Sequence, residues 1–98
     1  MSVVIIGGNE CMERKYKDIC DFFGCKSKVF IKESGAIRRK IGQHDLMVVF
    51  TGTVSHKMLL SASQEAKRHN APIAYIRSGS AAALEEVLQN VVKESING

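Results

Sequence analysis

Four short apolar runs punctuate the chain, at Val3–Ile6, Val29–Ile31, Leu46–Phe50 and Ile73–Ile76. They are continuous rather than alternating and rich in β-branched residues, the pattern of parallel strands covered on both faces. Between them the apolar positions recur every three or four residues. Met12, Tyr16, Ile19, Cys20 and Phe23 mark one face of a first helix, which Gly24 stops. A short second helix is expected with Ser34 as its N-cap, Ile37 and Ile41 on one face and Gly42 at its close. A third runs from about Ser55 to His69 and ends at Asn70, with Pro72 just beyond. Leu84, Val87, Leu88, Val91 and Val92 form the broad stripe of a fourth, wide enough to cover half a sheet face.

Strict β-α alternation with short connections predicts an α/β fold: a small three-layer flavodoxin- or Rossmann-like domain with a four-stranded parallel sheet and helices on both faces. The expected strand order is 2-1-3-4. Strand two is then an edge, and Lys28 and Lys32 around its apolar centre suit an edge that must not pair further. In such sheets ligands bind beyond the carboxyl ends of the strands, where the connections reverse. Here that point lies between strands one and three.

The chain has 98 residues, 45% of them hydrophobic, which predicts one domain over residues 1–98 without linker or repeat. Val3–Ile6 is too short for a signal peptide or a membrane span, so no membrane partner is expected. Cys11, Cys20 and Cys25 cannot all pair within one chain and lack a metal-ligand spacing, so no metal site is assigned and a reducing cytoplasm is the expected location. The net charge of +4 is compatible with a small acidic ligand or with nucleic acid and selects neither.

Three loops leave the carboxyl ends of the strands that matter: Gly7-Gly8-Asn9-Glu10, Thr51-Gly52-Thr53-Val54-Ser55-His56-Lys57 and Arg77-Ser78-Gly79-Ser80. Backbone N–H groups and the helix dipole at a helix start favour an anion. Glu10 and Glu13 oppose one at the first loop, whereas the third and fourth helices start with His56, Lys57 and Arg77 and no acid. A phosphate or carboxylate is therefore expected between the last two loops, with Arg77 as a bidentate partner, Lys57 as a point charge and Ser78 and Ser80 as hydroxyl donors. Gly7 and Gly8 supply either a tight turn or part of the cradle, but fall short of a dinucleotide fingerprint, and only Glu33 is available for a ribose. Asn9 is the expected cap of the first helix, and Thr53 or Ser55 caps the third or touches a ligand.

An enzyme reading would use His56 as general acid or base, with Ser55 or Cys11 as nucleophile and Glu10 or Glu13 as orienting carboxylate. Cys11 sits near a helix start, where a thiolate is favoured, but its two neighbouring acids oppose that, and Lys17 stands where a phosphatase-type loop carries Arg. Arg38-Arg39-Lys40 is the densest basic cluster. Without interleaved aromatic residues it reads as the solvated side of the short helix, and nucleic acid is weakly supported. His44 and His69 are assigned no role.

Val4-Ile5-Ile6-Gly7-Gly8, Met12-Glu13-Arg14-Lys15-Tyr16 and Thr53-Val54-Ser55-His56-Lys57-Met58 resemble a family of small bacterial proteins known as domain of unknown function 2325, over nearly the whole chain. The resemblance implies the α/β fold and a bacterial cytoplasmic origin and brings no established reaction. The family is also associated with haem binding. In the first loop its pattern is Gly-Gly-His followed by Glu and Arg, where this chain has Asn9-Glu10-Cys11, so an axial role would pass to Cys11 or His56. The sequence itself names no cofactor. It favours a non-catalytic module for a small anionic, phosphate- or nucleotide-like ligand, working as a homodimer that covers Phe22, Met58 and Leu60.

Overall fold

A computed structural model describes residues 1–32 and 37–97, without the side chains of 38 and 94–97. Strands β1 (Ser2–Ile6), β2 (Lys26–Phe30), β3 (Leu46–Phe50) and β4 (Ile73–Ile76) form one parallel sheet in the order β2-β1-β3-β4. They alternate with helices α1 (Glu13–Phe22), α2 (Ile37–Ile41), α3 (His56–Arg68) and α4 (Ala81–Asn97), and a 3₁₀ turn over Glu10–Met12 leads into α1. The expected α/β fold and strand order are both present.

Two cores flank the sheet because successive strand residues face opposite sides. Val3, Ile5, Leu46, Val48 and Phe50 turn toward α1 and α4, where they meet Tyr16, Ile19, Cys20, Leu84 and Leu88. Val4, Ile6, Met47 and Val49 turn toward α2 and α3, where they meet Ile37, Ile41, Met58, Ala62 and Ala66. All five residues of β3 are buried, as a central strand requires.

The boundaries differ from the sequence reading at β2, which starts at Lys26 and ends before Ile31. Its Lys-Ser-Lys start carries no apolar signal, but backbone pairing with β1 from Ser2 onward makes it strand all the same. Lys28 also has a task beyond edge protection. Its ammonium donates to the carbonyls of Lys40 (3.1 Å) and Ile41 (3.5 Å), at the negative end of α2. Ser34 and Glu33 lie outside the described residues. Met58, expected at the surface, is in the core, while Phe22 and Leu60 are exposed as anticipated.

Candidate functional site

The carboxyl ends of β1, β3 and β4 bring the three loops together; hydrogen bonds join the middle loop to each of the others, and Tyr16 bridges the first and the last. The Gly8 N–H donates to the Thr53 hydroxyl at 2.7 Å, which itself donates to the Phe50 carbonyl at 3.2 Å. The Gly52 N–H donates to the Arg77 carbonyl at 3.1 Å, and a Cβ at Gly52 would stand 2.6 Å from that oxygen. The Thr51 N–H donates to the Ile76 carbonyl at 2.7 Å.

The hub of this network is Tyr16, which sequence periodicity marks only as part of an apolar helix face. Its fully buried side chain runs under the loops. The hydroxyl accepts the Asn9 N–H at 3.2 Å and donates to the Gly79 carbonyl at 2.6 Å, while the ring packs 5.2 Å from that of Phe50. Gly8 lies on this ring with φ +97, and a Cβ there would fall 2.7 Å from ring and hydroxyl atoms. The one available signal was a tyrosine in place of a plain hydrophobe, since a buried Tyr hydroxyl needs a partner.

Local caps fix the helix starts. Asn9 caps the 3₁₀ turn through its side-chain oxygen, which accepts the Cys11 N–H at 3.0 Å. Ser55, and not Thr53, caps α3 by accepting the Met58 N–H at 3.1 Å. The Ser80 hydroxyl accepts the Ala83 N–H at 3.2 Å at the start of α4. The hydroxyls of Thr53, Ser55 and Ser80 therefore already carry internal bonds. His56, Lys57, Arg77 and Ser78 are exposed beside them, and neither α3 nor α4 has an acid in its first turn.

At the first loop Glu10 forms an ion pair with Lys32 at 2.8 Å, which offsets half of the acidity the sequence places there. Both partners are more than half exposed, so the pair contributes at most about 1 kcal/mol to stability. It does occupy a carboxylate that an enzyme reading would aim at His56. Cys11 is exposed, whereas Cys20 and Cys25 are buried. Burial pushes the Cys20 thiol up to about 11, helped by the nearby Cys25 and only partly offset by the Ser27 hydroxyl. Burial likewise raises Cys25, opposed by the N-terminal ammonium. Both stay neutral thiols near pH 7 and act as packing groups.

A second polar cluster, absent from the sequence reading, lies at the opposite end of the sheet. His44 is 5% exposed, with Nδ1 3.0 Å from the Gly42 carbonyl and Nε2 without a partner among the described residues. Its ring sits 5.8 Å from that of His69, whose Nε2 is 3.6 Å from the buried carboxylate of Glu65. A groove of about 560 Å³ beside it is lined by Arg39, Gly42, Gln64, Glu65, Arg68 and His69. Among the described residues no three His, Cys, Asp or Glu side chains are placed to hold a metal ion, and no helix is long and apolar enough to cross a membrane.

A family model described as an uncharacterised protein conserved in bacteria, domain of unknown function 2325, matches residues 2–91. The chain belongs to that family, as its loop and helix motifs implied. No curated protein and no solved structure matches the chain.

Proposed function

We propose that this family member is a non-catalytic binding module for a small anionic ligand, phosphate- or nucleotide-like, held at the carboxyl ends of β3 and β4. One observation carries the reading. The loops that lead from β3 into α3 and from β4 into α4 are tied to each other through the Gly52 N–H and the Arg77 carbonyl, and neither helix has a first-turn acid. The two helices leave this end of the sheet toward opposite faces, and each presents N–H groups and a positive dipole end beside the joined loops, which favours an anion there. Arg77 supplies a bidentate fork, Lys57 and His56 add donors at the α3 start, and Ser78 adds a hydroxyl. The Thr51–Thr53 turn and the Gly7-Gly8 turn serve as the rigid floor. A cytoplasmic setting suits the three free cysteines.

The haem association of the family draws no support from the first loop. Asn9 offers no imidazole, and its side-chain oxygen is engaged with the Cys11 N–H. An enzyme reading draws none from Ser55, whose hydroxyl oxygen caps α3, or from Glu10, which is paired with Lys32.

The test follows thermal stability during titration with inorganic phosphate, a nucleoside monophosphate and a sugar phosphate. A ligand present at about 100 times its Kd stabilises the fold by about 2.7 kcal/mol. The expected result is stabilisation by at least one of these anions, weakened about tenfold in affinity by Arg77→Ala, the loss of one charge-assisted contact of about 1.4 kcal/mol. Lys26→Ala, at the other end of the sheet, is expected to leave binding unchanged. No stabilisation by any of the three, or equal weakening by both substitutions, would overturn the reading.

A further inference from the structure

The two edges of the sheet are built differently. The β2 edge carries exposed Lys26 and Lys28, and charges of this kind discourage pairing. The β4 edge reads Ile73-Ala74-Tyr75-Ile76 and carries no charge, no internal proline and no bulge, with Tyr75 57% exposed. Its backbone is half engaged. The carbonyls of Pro72 and Ile76 accept the N–H groups of Met47 and Thr51 from β3. Strand alternation then turns the N–H and C=O groups of Ile73 and Tyr75 away from β3, toward the open side of the sheet.

We propose that this edge pairs with the β4 strand of a second copy of the chain, antiparallel about a two-fold axis at Ala74, to give one continuous eight-stranded sheet. A second copy is the occupant that the edge itself specifies. An isologous contact must be self-complementary. Centred on Ala74, Ile73 exchanges two hydrogen bonds with Tyr75 of the partner subunit, and the symmetric pair adds two more. Each Tyr75 then lies across from a β-branched residue, a favourable cross-strand pairing. No like charges meet, because Arg77 falls opposite the partner's Ala71. The same operation centred on β2 sets Lys28 against its own copy, which disfavours that edge. The contact therefore uses β4, and not the Phe22 face of α1 that composition alone suggests.

Sedimentation of the full chain across a dilution series tests this. The expected result is a species of twice 10.8 kDa that Tyr75→Lys converts to a monomer with an unchanged circular dichroism spectrum, whereas Phe22→Asp remains dimeric. A monomer throughout, up to about 1 mM, the weak end of the affinity scale, would overturn it. So would a dimer that survives Tyr75→Lys or is lost in Phe22→Asp. Amide hydrogen exchange on the unsubstituted chain decides independently of how Tyr75→Lys folds. The amides of Ile73 and Tyr75 are expected to be protected when concentrated and to lose that protection on dilution. Free exchange at both in a dimer would overturn the proposal.

Discussion

The two ends of the sheet use polar groups in opposite ways. At the carboxyl end, Gly8 bonds Thr53 and Tyr16 bonds Gly79, partners 45 and 63 residues apart in sequence, so the loops hold one another. At the amino end, the bonds of His44 to Gly42 and of Glu65 to His69 are local, and the buried Nε2 of His44 has no partner among the described residues. One end is thus a rigid platform with cations standing on it. The other is a patch of short-range contacts. The lesson is that buried polar groups fix geometry when their partners come from distant loops and are fully satisfied.

The sharpest way to break this contrast is a pair of glycine substitutions. Gly8 (φ +97) and Gly24 (φ +72) both hold left-handed backbone, but a Cβ at Gly8 meets Tyr16 whereas one at Gly24 meets nothing within 4 Å. Gly24→Ala is expected to cost about 1–2 kcal/mol, the backbone term alone. Gly8→Ala should cost about 3 kcal/mol or more, because overpacking against a buried ring adds to that term. Chemical denaturation of both variants checks the difference, and equal losses would mean that the Tyr16 ring yields freely.

A smaller effect is expected from Tyr16→Phe, which removes the bridge between Asn9 and Gly79 and leaves the ring in place. The expected loss is about 1–3 kcal/mol. Its amino-end counterpart is Asp45→Ala, which removes an exposed bond from the Ser2 N–H at 2.7 Å. That change should stay near 0.5–1 kcal/mol, since water replaces the lost acceptor. If the two losses were alike, the Tyr16 network would be no more consequential than a surface contact.

A further effect belongs to pH, and it bears on the buried thiol of the core, away from both ends of the sheet. Burial pushes the Cys20 thiol from its ordinary 9.0 up to about 11, so the folded state holds the proton more tightly than the unfolded one. Its contribution is constant below about pH 9 and declines as pH rises through 11, by a loss on the order of 2 kcal/mol. Melting temperature measured from pH 8 to 11 should fall less steeply in Cys20→Ala than in the unsubstituted chain. A parallel slope would show that burial of Cys20 does not govern the decline.

Much of the fold is legible because it rests on short-range patterns. Apolar runs, helical spacing, Gly24 and the caps Asn9 and Ser55 act within a few residues of where they stand. The strand order could be inferred because few arrangements satisfy alternating β-α units. The adjacency of the last two loops was legible, and exposed Lys57 and Arg77 stand beside them. Which hydroxyls were already committed was not. Thr53 looked like a cap or a ligand contact, and only the approach of Gly8 gives it its partner.

The sequence by itself determined the layers, the order of the sheet and the location of a cationic, acid-free pair of helix starts, because periodicity and charge are properties of neighbours along the chain. The tertiary structure alone decided that Tyr16 ties the loops together, that Met58 is core and that Glu10 is held by Lys32. It also decided that His44, Glu65 and His69 gather at the far end. Each of these depends on two segments meeting after the strands have paired. No local preference encodes the partner of a buried hydroxyl or carboxylate, although its burial demands one.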